Sequence, residues 1–139
     1  MTRHEARRLA LQALYQVDLV AARPDIALQR TARVLQKEGE EGLEFAAEVV
    51  QGVYNHLAEL DRWIERYAVD WSVDRMAVVD RNLLRMALYE IIYRTDIPPA
   101  AAASEAVELA KEFGDVDSPR FINGIIGSFL REQADLVKP

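Results

Sequence analysis

The stretch VVDRNLLRMALYEIIYR at residues 78–94 limits the possible folds of this chain more than any other segment. Its apolar residues recur at the spacing that places them on one side of an α-helix: Leu83, Leu84, Ala87, Leu88, Ile91 and Ile92. So broad a stripe predicts a central helix covered by other helices. Similar periodicity fills most of the chain, and alternating strand patterns bounded by turn pairs are missing. The sequence therefore predicts an all-α bundle of six or seven helices with short loops.

Start and stop signals place the first two helices. Thr2 and Glu5 match a capping box, so the first helix should begin there and run to about residue 22. Pro24 suits the first turn of a second helix, which should reach about residue 37. The charged, glycine-flanked residues 37–42 are predicted to form a loop.

The middle of the chain is helical but interrupted. Residues 43–69 have helical periodicity, and we expect a break near residues 56–61. The following segment, VDWSVDRM, lacks a clear period and is predicted to be a connector. Trp71 and Val73 are its candidates for filling the core.

Two further helices complete the pattern. Pro98 and Pro99 open a predicted helix over about residues 98–113, closed by Gly114. Asp117 or Ser118 is expected to cap the last helix, with a proline in its first turn. The buried stripe of that helix is predicted to consist of Phe121, Ile122, Ile125, Ile126, Phe129 and Leu130.

Composition excludes several classes of site and predicts a single domain over residues 1–139. The chain has no cysteine and only two distant histidines, so neither a disulfide framework nor a zinc site is expected. No apolar run approaches the roughly 20 residues that span a membrane, and no signal peptide is evident. We therefore expect a cytoplasmic protein without membrane contact.

Positive charge is concentrated near the N-terminus. The whole chain carries a net charge of -6, yet residues 1–33 contain six arginines against three acidic residues. Arg3, His4, Arg7 and Arg8 occupy adjoining rows at one end of the first helix. Because cations there oppose the helix dipole, helix stability does not explain them. Guanidinium groups and helix N-terminal amides both attract phosphate, so this end is a candidate nucleic-acid contact; a solvated charged face is the alternative.

A second candidate contact lies at the start of the last helix. There Arg120 and Phe121 follow Asp117 and Ser118. A guanidinium, an aromatic face and short polar groups can stack against and hydrogen-bond an unpaired base. The alternative is that Phe121 is simply the first core residue of its stripe.

Three other residues are candidates for a protein interface or for ordinary structure. Tyr15 lies at the edge of the predicted buried face of the first helix, where it is either half-buried or part of a partner surface. Asp74 and Asp80 flank the start of the central helix, where acidic residues are also favoured by the helix dipole. No glycine-rich phosphate loop and no catalytic constellation is present, so an enzyme is not expected.

Four segments together resemble the NusB family of transcription antitermination proteins. They are ARRLALQALYQ, DRNLLRMALYEI, DIPPAAAASEAVELAKEFG and SPRFINGIIGSF, in the family's order and spacing. The resemblance covers nearly the whole chain. It implies an all-α bundle of about seven helices in two closely packed subdomains, with no catalytic activity and no cofactor.

The resemblance also implies partners. Proteins of this family bind boxA, a single-stranded RNA element of nascent ribosomal RNA, together with the ribosomal protein NusE. The pair joins RNA polymerase and other Nus factors, and a homodimer is a further candidate assembly. The implied RNA contacts are Arg3, Arg7, Arg8, Gln12, Asp117, Ser118, Arg120 and Phe121. The implied NusE contacts are Tyr15, Asp74, Asp80 and Arg81.

Three rival interpretations stay open at this stage. A NusB-like domain also occurs fused to RNA methyltransferases, but this chain has no cofactor-binding fold. A second rival is a protein scaffold that binds no RNA. The third is a helix-turn-helix DNA-binding protein, which is disfavoured because the basic residues lie at a helix tip rather than along a recognition face.

Overall fold

A computed structural model describes residues 1–136, and within that range the chain is helical without a strand. The helices are α1 (Arg3–Val20), α2 (Pro24–Val34), α3 (Leu43–Asn55), α4 (Leu57–Tyr67), α5 (Val78–Tyr93), α6 (Pro99–Phe113) and α7 (Ser118–Glu132), with a 3-10 turn at Val73–Arg75. The predicted all-α class is confirmed. The chain divides into two compact units, Met1–Asn55 and a second unit that begins at His56.

The first unit consists of three helices that pack against one another, α1 against both α2 and α3, and α2 against α3. The capping box predicted for α1 is present. Thr2 Oγ1 accepts from the Glu5 amide at 3.1 Å, and Glu5 Oε1 accepts from the Thr2 amide at 2.9 Å. Gly42 precedes α3 at φ +101°, a conformation that side chains disfavour, and the Met1 backbone also packs closely against it.

The second unit is built around α5, which packs against α4, α6 and α7. The predicted stripe of α5 is buried except at Ile92, which is half-buried. The opposite side is buried as well, and it contains polar side chains. Arg85 is 7% exposed and makes a bidentate ion pair with Asp61, at 2.8 and 3.0 Å. Asn82 donates to the Val78 carbonyl at 2.9 Å, which satisfies its buried amide.

The junction between α6 and α7 differs from the prediction in its chemistry. Asp117 occupies the N-cap position, but its side chain caps no amide. Asp115 does so instead, because its Oδ1 accepts from the amides of Asp117 and Ser118 at 2.9 and 3.1 Å. Ser118 Oγ accepts from the Asp115 amide at 3.0 Å in return. Asp117 therefore stands at the predicted start of α7, but the predicted capping group was wrong. The side chain of Asp115 accepts from the amides there, rather than that of Asp117 or Ser118.

Gly114 ends α6 as predicted, but not through a left-handed conformation. Its backbone is extended, at φ -92° and ψ -174°. Glycine is required there by space, because a Cβ would lie 2.5 Å from the Ser118 side chain. The close approach of the two helices at this junction is what excludes a side chain.

The interrupted middle region also agrees with the prediction, with one exception. The long helical region breaks at His56, at the early end of the expected range. In the connector, Val73 is buried as expected. Trp71 is 52% exposed and does not fill the core.

Candidate nucleic-acid interface

The cationic end of α1 is organised by an aromatic ring from α3. The guanidinium carbon of Arg3 lies 4.0 Å from the centroid of Phe45, and that of Arg7 lies 5.2 Å from it. Both distances are within the range of cation–π attraction. The two arginines differ in access, since Arg3 is exposed and Arg7 is 6% exposed. The Arg3 side chain is therefore accessible to solvent, whereas the charge of Arg7 lies beneath the surface.

The other predicted residues of α1 lie at intermediate depth. His4, Arg8 and Gln12 are all half-buried. Arg8 and Gln12 are four residues apart and so share a row of the helix. This row can present a cation and an amide side by side, a pair able to bind a phosphate and a base edge.

Three of the four residues predicted at the start of α7 line one pocket in the second unit. The pocket has a volume of about 240 Å³, and Asp117, Ser118 and Phe121 all contribute to its wall. Its remaining lining residues are Trp71, Arg75, Met76, Ala77, Asp80 and Asp115. Two aromatic side chains and three carboxylates therefore share one pocket, whereas Arg120 is exposed outside the lining.

The exposure of these side chains distinguishes those that a ligand can contact from those that hold the helix start in place. Phe121 is half-buried at the beginning of the α7 stripe, and it lines the pocket. Ser118 is 1% exposed and is engaged with Asp115, which makes it part of the helix start. Asp117 and Arg120 are exposed.

Asp80 is the least expected member of this pocket. It is 8% exposed, and within residues 1–136 no hydrogen-bond donor reaches its Oδ1. Burial raises the pKa of Asp80, the charge of Asp115 raises it further, and a hydrogen bond with Ser118 opposes the rise. The carboxylate therefore provides a buried acceptor at the pocket wall.

The remaining residues predicted to contact NusE are either exposed or held by hydrogen bonds. Tyr15 is 45% exposed on α1, and Asp74 is exposed in the 3-10 turn. Arg81 Nη1 donates to the carbonyls of Val73 and Asp74, both at 3.4 Å. This arginine joins the connector to the first turn of α5, so Asp74 and Arg81 lie together.

Other kinds of site are missing from the part of the chain that the structure describes. Residues 1–136 contain no group of three or more side chains able to hold a metal ion. Within the same range, no helix is both long and apolar enough to cross a membrane.

Fold and site together define a small all-α protein with one cationic helix end and one carboxylate-lined pocket. Residues 4–131 match the model of the NusB family, and the chain belongs to that family. A transcription antitermination protein NusB from Symbiobacterium thermophilum is 48% identical over 94% of this chain and 90% of its own length.

Solved structures agree with this assignment. NusB of T. maritima superposes with a TM-score of 0.86 at 32% identity, over 95% of this chain and 92% of that one. A crystal structure of antitermination factors NusB and NusE in complex with dsRNA has a TM-score of 0.84 at 27% identity. That match covers 95% of this chain and 99% of the other.

Sequence reasoning missed the two aromatic residues that shape these surfaces. Phe45 is about 40 residues from the arginines it contacts, and no local spacing signals that contact. Trp71 was considered only as a candidate for filling the core, whereas it lines the pocket and is half exposed. Its place in an aperiodic connector beside a charged segment was the one available signal.

Proposed function

We propose that this chain is a transcription antitermination factor that binds boxA single-stranded RNA together with NusE and joins RNA polymerase and other Nus factors. The observation that carries this proposal is the cationic end of α1, where Arg3 is exposed over Phe45. Its membership of the NusB family supports the choice of RNA and partner. The role is regulatory rather than catalytic and belongs to the cytoplasm, where transcripts are made.

The proposed RNA surface has two parts. Arg3, Arg8 and Gln12 contact the backbone and adjoining bases, and Arg7 adds its charge from beneath. In the second unit, Phe121 offers a stacking face. The other proposed residues there divide by exposure: Asp117 and Arg120 contact the RNA, while buried Ser118 holds the start of α7.

The proposed NusE surface comprises Tyr15, Asp74, Asp80 and Arg81. Carboxylates suit a basic ribosomal protein, and the net charge of -6 favours such a partner over a second polyanion. Asp80 lies in the same pocket as the proposed RNA residues of α7. We expect NusE to extend the surface that RNA contacts, so that each partner raises the affinity for the other.

The test is fluorescence anisotropy with a boxA RNA and a scrambled RNA, each titrated with and without NusE. We expect preferential binding of boxA that NusE strengthens and that salt weakens, because phosphate contacts release counterions. Arg3→Glu and Arg8→Glu should each weaken binding. Arg7 is unsuitable for charge reversal because its side chain is buried.

Arg30→Glu is the matched control, since Arg30 is an exposed arginine of the same unit outside α1. It makes the same charge change and should leave boxA affinity close to that of the wild type. Equal, weak binding of both RNAs in the presence of NusE would refute the proposal. Retained binding of NusE alone would then favour the protein-scaffold interpretation.

A further inference from the structure

Phe45 of α3 lies against the charged side chains at the start of α1. It lies in the first turn of α3 and is 6% exposed. Two guanidinium groups from α1 converge on its ring, at 4.0 Å for Arg3 and 5.2 Å for Arg7. A buried ring that two guanidinium groups approach therefore lies under the cationic end of α1.

We propose that Phe45 is a positioning residue for RNA binding, whose ring holds the Arg3 guanidinium in place as a preset phosphate contact. This inference rests on the proposed function and assigns a role to a residue outside the RNA-contact set. Phe45 does not touch RNA. It acts through Arg3, with Arg7 fixed beneath as the second cation on the same ring.

The physical argument begins with repulsion. Arg3 and Arg7 are four residues apart on one helix, so their like charges repel, and both oppose the helix dipole at this end. The negative face of an aromatic ring offsets these terms by attracting both cations. The ring therefore makes close placement of two arginines stable in the absence of RNA.

The second step concerns entropy. An exposed arginine samples many rotamers, and fixing it on binding lowers affinity. A guanidinium already resting on a ring loses less of this freedom when it binds a phosphate. An aliphatic side chain at position 45 would fill space without an aromatic face, so the contribution of the ring can be separated from that of packing.

The experiment is a double-mutant cycle on boxA RNA affinity in the full chain. Phe45→Leu should weaken binding about three- to tenfold, the effect of ordering one arginine side chain. In an Arg3→Ala background the same change should weaken binding less than about twofold, because the group being positioned is gone. Phe45→Met provides the same comparison if Phe45→Leu does not fold.

Salt dependence separates the loss of a phosphate contact from the loss of its positioning. Arg3→Ala should reduce the slope of log affinity against log salt by about 0.7, since one phosphate contact on a single strand is lost. Phe45→Leu should leave that slope unchanged, because the contact still forms once RNA is bound. Phe45→Tyr, which retains an aromatic face, should restore most of the affinity.

Phe129→Leu is the matched control, because Phe129 is a fully buried phenylalanine in the other unit and packs on Trp63 and Tyr67. It should lower stability and show no coupling with Arg3→Ala. If Phe45→Leu weakens binding equally with and without Arg3, or not at all, the positioning role is refuted while RNA binding stands. If the wild type binds no boxA RNA, the proposed function and this inference fail together.

Discussion

Substituting alanine at Gly114 tests how tightly the junction between α6 and α7 is packed. A Cβ there would lie 2.5 Å from both Cβ and Oγ of Ser118 and 2.9 Å from the carbonyl oxygen of Ala110. The Ala110 oxygen and the Ser118 Cβ cannot move independently of the backbone, because the first is a backbone atom and the second is bonded directly to the backbone of α7. Ser118 Oγ is itself held by the Asp115 amide at 3.0 Å. Gly114→Ala must therefore move α7 relative to the end of α6.

The expected magnitude follows from two opposing terms. Overpacking of this kind costs roughly 1–3 kcal/mol. The backbone of Gly114 is extended and suits alanine, so the lower entropy of the unfolded chain returns about 0.4–1 kcal/mol. The net result is a loss of about 1–2 kcal/mol in the free energy of unfolding.

Gly124→Ala is the matched control within the same unit. Gly124 lies inside α7, and a Cβ there meets no atom within 4 Å. Alanine should stabilise the helix at that position by about 0.5–1 kcal/mol. Thermal unfolding followed by circular dichroism should place the two midpoints about 8 °C apart, with Gly114→Ala lower than wild type. A Gly114→Ala midpoint equal to or above that of wild type would refute the packing argument.

Three further predictions concern charged groups. Asp61→Ala deprives the buried Arg85 guanidinium of its bidentate carboxylate and should lower the free energy of unfolding by about 3 kcal/mol in urea titrations; a loss below about 1 kcal/mol would contradict this. Asp80→Asn should stabilise the protein at neutral pH, because burial raises the pKa of Asp80 and its ionised form is disfavoured in the folded state. The penalty grows as pH rises through the folded pKa and is absent below the ordinary value of 3.8, so the gain measured by thermal unfolding should vanish near pH 3. Hydrogen bonds from Thr2 lower the pKa of Glu5, so the capping box stabilises above the ordinary value of 4.5 and is lost as pH falls through the lowered one. Glu5→Gln, which removes the titrating carboxylate that accepts from the Thr2 amide, should therefore reduce the acid sensitivity of the melting temperature, and an unchanged pH profile would argue against this role for the box.

Local features of the fold were predictable because short-range chemistry decides them. The capping box needs only Thr2 and Glu5 at the right spacing, and it forms as predicted. The apolar stripe of α5 follows from helical periodicity, which is visible in the spacing of the apolar residues along the sequence. The break near residue 56 and the helix starts at Pro24 and Pro99 likewise depend on neighbouring residues.

Features that depend on close approach were predicted less well. The sequence indicated a capped start for α7, but Asp115 rather than Asp117 or Ser118 satisfies the amides. Several short polar residues adjoin that helix start, and only the path of the loop selects among them. Trp71 is apolar and was a candidate for filling the core, yet the connector leaves it half exposed at the pocket.

The candidate site divides in the same way. Sequence alone determined that three arginines and a histidine share the end of α1, because residues three and four apart on a helix are neighbours. It did not determine their depth. Tertiary structure placed Phe45 under Arg3 and buried Arg7 beside it, and it placed Asp80 in the pocket of α7. Helical spacing is a property of consecutive residues, whereas these contacts join distant segments, so only the packing of one helix on another decided them.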